Sequence, residues 1–518
     1  MSDVFGTGSP AVLTEVNGDV IDCDIAIFGS GMGGSTLAWA LRESGARVLV
    51  VERGDFLPRE EQNWSPTEVF GGRYRNAEPW QDVMTGKSFL PGVHYYVGGN
   101  TKVYGACLLR FREEDFGVLE HPEGVSPAWP VSYAELESYY VQAERLYAVH
   151  GAVGEDPTEP WRSVGFPYPA IPHEPPVAAL ADAMRRQGLR PFHMPAGVDL
   201  RDGGRCIRCR TCDGFPCKVG AKDADVFAMR PALESPTVRL LTRAYAERLE
   251  PSPDAKSVAA AVVVRDGTRL RIRAQRYVAA CGAVNSAALL LRSRSGRRRG
   301  TLANSSGLVG RNYMVHNSTF FMGVDPRRTN DVAFQKTLGI NDWYLPGPHG
   351  KWPLGNVQML GKLQGPMLKK ARTWLPMPLA DYIGRHSVDL YVTTEDLPDP
   401  ENRVLVGGNG GVQIRWKPNN LTSHAALVRR LSTAVRRAGY PLILTQRMDI
   451  ATNSHMCGTI VMGRDPATSV LDPTCRTHDL ENLWVVDSSS FPSSAALNPA
   501  LTIAANALRV ATAGGLLR

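Results

Sequence analysis

Long apolar runs are missing from this 518-residue chain. No stretch of eighteen or more apolar residues occurs, so no transmembrane helix is expected. The first twenty residues, MSDVFGTGSPAVLTEVNGDV, have neither a basic n-region nor an apolar h-region. Export by the usual route is therefore not expected, and cytoplasmic residence is the default. Aromatic residues are not interleaved with the one strongly basic stretch, RSRSGRRRG (Arg292 to Gly300). The net charge of +7 thus reads as a solvated basic loop and not as a nucleic-acid site. Cysteine is present nine times, an odd number in a chain without an export signal, which argues against a disulfide framework. The length suffices for about two to four domain-sized units.

What is present is a nucleotide-binding signature. DCDIAIFGSGMGGSTLAWALRESGARVLVVERG reads as strand, Gly-rich turn, helix and strand. Gly29, Gly31 and Gly34 occupy the G-x-G-x-x-G positions. The first permits the tight turn, the second lets a pyrophosphate approach the backbone, and the third lets helix and strand pack closely. Glu52 ends the second strand, about twenty residues on, where a carboxylate accepts hydrogen bonds from an adenosine ribose. The motif alone does not choose FAD or NAD. The unit opens the chain, however, and no second such motif of comparable quality follows for a nicotinamide partner, which favours FAD.

Further along, HYYVGGNTKVYGA (His94 to Ala106) places two glycines and Asn-Thr in an apolar setting, as for backbone packed on a flat ligand. RYVAACGAVNSAALLLRS (Arg276 to Ser293) is another strand, small-residue turn and helix. ANSSGLVGRNYMVH (Ala303 to His316) follows it. The C-terminal region carries NSHMCGT, VVDSSS and NPALTIAANALRVA. With the N-terminal unit, this order of H-x-x-G-T, V-x-D and N-P-x-L-T-I resembles the glucose–methanol–choline (GMC) flavin oxidoreductases. Within them, VGGNTKVYGA, CIRCRTCDGFPC and VDLYVTTEDLPDPENRV are most similar to sugar oxidases of the pyranose oxidase and C-glycoside 3-oxidase type.

The resemblance implies an α/β fold: a Rossmann-like FAD-binding domain with a discontinuous α+β substrate domain. The FAD-binding part would draw on 1–129 (with 58–92 covering the cofactor), 201–316 and 447–518. Residues 317–446 would form the substrate-binding domain, and 130–200 a further part of it with a helical insertion. It also implies roles. His455 is the catalytic base and Asn498 its partner. An imidazole titrates near neutrality and can take a hydroxyl proton, while an amide can donate to the oxygen as alkoxide character develops. Gly98, Gly99, Asn100 and Thr101 match the loop along the isoalloxazine, Ala246 a backbone contact to adenine, and Asp487 the acid near the ribityl chain. Pro499 starts a helix whose positive dipole end faces the flavin. Relatives that attach FAD covalently use a histidine where Val103 stands here, so the FAD is expected to be non-covalent. Gln358 resembles a sugar-binding glutamine, and WYLPGPHGKW (Trp343 to Trp352) is a candidate aromatic lid or a plain loop.

The expected activity is oxidation of a secondary hydroxyl of a sugar or glycoside, with O2 or a quinone as acceptor and no nucleic-acid or membrane partner. An aminoglycoside or other alcohol dehydrogenase of the same family stays open. So does, from another class, a non-catalytic flavin and thiol redox-relay protein. Cys206, Cys209, Cys212 and Cys217 have the spacing C-x2-C-x2-C-x4-C, which by itself suits iron–sulfur or zinc. Similar runs occur in the resembling family without a cluster, so free thiols or a local disulfide are expected and no metal.

Overall fold

The computed structural model describes residues 4–6, 9–16, 18–295, 300–347 and 350–517. The core of the basic stretch (296–299) and two residues of the WYLPGPHGKW loop (348–349) lie outside the described residues.

The strand Val20–Phe28 alternates in burial at first and is then buried continuously over Ile25 to Phe28. Continuous burial is what a parallel strand covered on both faces requires. It pairs in parallel with Val48–Val51 on one side and with Thr268–Ala279 on the other. Val48–Val51 pairs in parallel with Val238–Leu241, and Thr268–Ala279 takes Leu483–Val485 in parallel. One eight-stranded sheet therefore gathers strands from the start, middle and end of the chain. Val258–Arg265 and Ala244–Pro251 extend it antiparallel.

The C-terminal helix Ala500–Ala513 packs against Met32–Leu41, the helix after the Gly-rich turn. The approach is close: a Cβ on Gly33 would lie 3.3 Å from Ile503 Cγ2 of the C-terminal helix and 2.1 Å from the carbonyl oxygen of Val486, just past the strand Leu483–Val485. The amphipathic helix Tyr133–Leu146 starts at a capping box formed by Ser132 and Glu135. It covers the other side of the C-terminal helix, with the Tyr140 hydroxyl 2.8 Å from that of Thr502.

A second sheet of six antiparallel strands stands beside the first. Its order is Phe192–His193, Leu338–Ile340, Asn356–Met359, Ser387–Thr394, Asn317–Val324 and Leu442–Arg447. The helix Leu421–Arg437 lies across it, burying Leu427, Leu431 and Val435 in a separate apolar core. Segment 130–200 divides between the two halves. Tyr133–Leu146 serves the nucleotide side, while Pro175–Arg185 and Phe192–His193 join the second sheet and its core. Within 317–446, Arg403–Val406 pairs with Val412–Arg415, which pairs in turn with Trp80–Asp82, and the two bury Val404 and Ile414 in the first core. Local pattern marks such elements, but long-range burial decides which core receives them.

Candidate functional site

A cavity of about 1180 Å³ extends from the turn Gly29 to Gly33 as far as His455 and Asn498. That exceeds the roughly 300–1,000 Å³ of ordinary ligand pockets and suits a large cofactor with a substrate beside it.

At the nucleotide end the three glycines do three different things. Gly29 has φ +101°, and a Cβ there would lie 2.3 Å from the Ala280 carbonyl oxygen. A Cβ on Gly31 would meet nothing within 4 Å, so its backbone faces open cavity. A Cβ on Gly34 would lie 2.0 Å from the Gly29 carbonyl oxygen, so helix and turn touch there. Glu52 lines the cavity and is held by the Ser30 amide (3.0 Å), the Ser30 hydroxyl (2.7 Å) and the Gly54 amide (2.8 Å). Beside it Arg53 lies over the rings of Tyr95 and Tyr245, at 3.7 and 4.7 Å. Ala246 follows Tyr245 on the same wall. His94 Nδ1, Tyr95 Oη and Trp80 Nε1 are buried on this wall with no hydrogen-bond partner of good geometry. Open glycine backbone and unpaired buried polar groups fit an elongated dinucleotide rich in acceptors.

In the middle, Gly99 to Lys102 form one 3-10 turn, and a Cβ on Gly99 would lie 3.1 Å from the Gly31 Cα. Gly99, Asn100, Thr101 and Val103 line the cavity, and Gly98 sits just behind. Asn100 ties the loop down through the His94 amide (2.8 Å) and the Gly92 carbonyl (3.2 Å). Lys102 points away into a buried ion pair with Asp223 and Asp225. Asp487 lines the cavity while accepting from the Gly282 amide (2.9 Å) and the Ser286 hydroxyl (2.5 Å). Burial pushes its carboxyl pKa up. Pro499 caps the start of Ala500–Ala513, and Asn498, Pro499 and Ala500 all line the cavity.

The H-x-x-G-T motif has a mechanical basis. Gly458 has φ +89°, and a Cβ there would lie 2.3 Å from the Asn312 carbonyl oxygen. The Thr459 hydroxyl donates to the Ala283 carbonyl at 2.5 Å, pinning the turn to the nucleotide half. Cys457 is buried with its thiol pKa pushed far up by burial, so it serves as a packing group. His455 lines the cavity, and its Nδ1 lies 3.0 Å from Nδ1 of His316. Burial first, then His316 and Lys336, hold the His455 imidazole well below its ordinary pKa.

Gln358 is placed differently from the expectation of a substrate contact. It is fully buried and absent from the cavity wall. Its Nε2 donates to Asn498 Oδ1 at 2.7 Å and to Asn356 Oδ1 at 3.0 Å. Asn356 donates to Asn341 (2.7 Å), which donates to Asp156 (2.7 Å). A carboxylate only accepts, so the direction of every amide in this chain is determined. Asn498 must accept with Oδ1, which leaves its Nδ2 hydrogens as donors. Gln358→Met is therefore expected to lower the rate of flavin reduction about five- to tenfold, the worth of one hydrogen bond of about 1 kcal/mol, with little change in substrate affinity. Stopped-flow measurement over a substrate series checks this. A rise in half-saturation alone would return Gln358 to direct substrate contact.

The aromatic loop is also placed elsewhere. Trp343 and Tyr344 are buried outside the cavity, with the Tyr344 hydroxyl donating to Asp115 at 2.8 Å. The cavity mouth is formed instead by the helices Gly365–Ala371 and Met377–Arg385, through Met367, Leu375, Leu379, Ile383 and the exposed Trp374. Cys206, Cys209, Cys212 and Cys217 are free thiols. Among the described residues no group of His, Cys, Asp and Glu is placed to hold a metal. Their loop does deliver Asp213 to the cavity wall, paired with Lys336 at 2.8 Å. Burial opposes ionisation of Asp213, but Lys336 outweighs it and holds the carboxyl below its usual range. Asp213 and Tyr391 lay inside quoted segments without being singled out, and Lys336 lay outside all of them. His316 lay at the end of a segment notable only as a whole.

Matches to known proteins agree with this arrangement. Family models described as GMC oxidoreductase match residues 83–318 and 413–507, and one described as NAD(P)-binding Rossmann-like domain matches 27–58. A paromamine 6'-oxidase of Streptomyces fradiae is 32% identical, over 95% of this chain and 91% of its own length. The fructose dehydrogenase large subunit of Gluconobacter japonicus is 26% identical, over 96% of this chain and 98% of its own. Among solved structures, a pyridoxine 4-oxidase from Mesorbium loti shares the fold with TM-score 0.66 and 20% identity, covering 94% of this chain and 98% of that one.

Proposed function

The chain belongs to the GMC oxidoreductase family, and on that premise we propose that it oxidises a secondary hydroxyl of a sugar or glycoside to the ketone with bound FAD. The observation that supports the reading is that His455 and Asn498 both line the cavity that Gly31 also lines. FAD supplies the acceptor for the hydride that leaves the carbinol carbon. The His455 imidazole, kept neutral by burial, takes the hydroxyl proton. The Asn498 amide, oriented by Gln358, donates to the same oxygen as it gains charge. The N-terminus of Ala500–Ala513 offers positive dipole where negative charge collects during reduction. The apolar mouth around Leu375 and Ile383 excludes water from the reacting atoms. O2 or a quinone then takes the electrons.

Val103, which stands about where relatives that attach FAD covalently have a histidine, lines the cavity, and Lys102 is held by Asp223 and Asp225. Acid precipitation is thus expected to release all the flavin as FAD to the supernatant. Flavin that stays with the pellet overturns this and points to His94 on the same wall.

The substrate class is tested by anaerobic bleaching with D-glucose, an O-glycoside, a C-glycoside, paromamine, 1-octanol and cholesterol. A glucose-type ring is expected to reduce the flavin fastest. The Asp213–Lys336 pair offers a strong acceptor and a strong donor to neighbouring hydroxyls, and an apolar alcohol leaves both unpaired. Faster bleaching by 1-octanol or cholesterol sinks the reading. A preference for paromamine moves it to aminoglycoside hydroxyls. Asp389 is spent on Lys362 and Glu395 on His121 and Ser126, so Asp213 would have to meet the ammonium in that case.

A further inference from the structure

We propose that His316 is a positioning residue that locks His455 in the tautomer whose Nε2 is bare, so that Nε2 is the atom that receives the substrate proton. The proposal rests on the reading of His455 as base.

The pairing begins in the backbone. Met314 and Cys457 form an antiparallel bridge and exchange hydrogen bonds of 2.9 and 3.1 Å. Two residues further along each strand, in opposite directions, stand His316 and His455. Side chains two apart on an extended strand share a face, so this register sets both imidazoles on one side. Their ring centroids are 4.9 Å apart and steeply inclined, at 78°.

Proton positions follow from the far end of the pair. His316 Nε2 lies 3.1 Å from the carbonyl oxygen of Ser494, which can only accept. His316 Nε2 therefore carries a hydrogen. Burial pushes the His316 pKa down to about 4, so at neutral pH the ring has one proton and Nδ1 is a lone pair. The 3.0 Å contact between the two Nδ1 atoms then requires the hydrogen to sit on His455. With Nδ1 protonated and the ring neutral, His455 Nε2 has a free lone pair, and no protein group among the described residues bonds to it. Free histidine favours the opposite tautomer. Reversing His455 alone would set two Nδ1 lone pairs face to face, and reversing both rings would set the His316 Nε2 lone pair against the Ser494 carbonyl oxygen, so either change is disfavoured by roughly tenfold or more.

Charged and titratable groups around the pair are few. Glu395, held by His121 and Ser126, faces His316. Lys336 faces His455, and the Tyr391 ring lies 6.3 Å away from it. Lys336 opposes an imidazolium at His455, while Asp213 beside Lys336 partly offsets that charge.

The test uses the full-length FAD-containing protein with histidine ring nitrogens labelled. Proton-coupled nitrogen NMR at pH 7.5 reads each tautomer, and the His455 signals are assigned by their loss in His455→Ala. His455 Nε2 is expected to be unprotonated and to titrate below pH 6.5. His316→Gln keeps a carbonyl for His455 and an amide for Ser494, since its reverse orientation would oppose two carbonyls, so it is expected to match the parent. His316→Leu keeps neither, so its Nε2 is expected to carry the proton in a major fraction and its titration to rise towards 6.5. A protonated Nε2 in the parent protein overturns the proposal, and this measurement stands even if a variant fails to fold. An unchanged His455 signal in His316→Leu overturns it as well. Because no substrate enters the measurement, the result is independent of whether His455 proves to be the base.

Discussion

His455→Ala is expected to retain FAD and its yellow colour while losing about two to four orders of magnitude in the rate of anaerobic flavin reduction, the usual worth of a placed general base. The retained colour follows from the separation of tasks. FAD contacts would fall on Gly31, Glu52, the Gly99–Thr101 turn and Asp487, none of which depends on the imidazole for its hydrogen bonds. The lost rate follows from chemistry: a neutral alcohol gives up hydride poorly until its proton is leaving. Stopped-flow bleaching at saturating sugar reads the effect, and near-normal bleaching would reduce His455 to a packing residue. The same side chain is expected to set the acid limb of the parent enzyme, since a base acts as the neutral ring and burial disfavours the imidazolium. The rate should therefore hold as pH falls through 6.5 and fail only lower, with the limb absent from His455→Ala.

Gly34→Ala is expected to abolish flavin binding. The new Cβ would sit 2.0 Å from the Gly29 carbonyl oxygen, a backbone atom that cannot rotate away. Relieving the overlap needs a shift of more than about an ångström between helix and turn. The interior there is close-packed, so the shift is transmitted to Gly31 and Ser30, and through Ser30 to Glu52. The expected product is colourless or insoluble protein, read as flavin absorbance per mole of chain after purification. Gly31→Ala is the informative contrast. Its Cβ meets no protein atom within 4 Å, so the protein should fold and lose only cofactor affinity. Full flavin occupancy in Gly34→Ala would mean that the turn is not the dinucleotide cradle.

Much of the nucleotide half was legible from sequence because its constraints are local. A buried strand, a turn with no room for a Cβ at Gly29 and a helix follow one another over Val20 to Leu41, and each leaves its mark in residue type. The same holds for Gly458 and Thr459, where a positive φ and a pinning hydroxyl account for the motif around His455. Gln358 is the counter-example. A buried polar residue on a strand reads equally as a ligand contact or as an internal brace. Only the position of Asn498, brought in by a helix from the end of the chain, selects the brace. The aromatics of the Gly-Pro loop fitted either a lid or a plain loop by pattern. Tyr344 is spent on Asp115 and Trp343 on the second core, while two helices without a distinctive motif took the cavity mouth.

The chain's own residues mark the dinucleotide turn, and through their resemblance to the GMC flavin oxidoreductases they single out His455 and Asn498 as the expected base and amide partner. The tertiary structure alone decided which groups line the cavity and what they touch. Asp213 pairs with Lys336 and His316 with His455, four residues from separate segments brought together by sheet register and core burial. Hydrogen-bond direction and pKa are properties of such meetings, because they depend on what else is buried within a few ångströms and not on the neighbours along the chain.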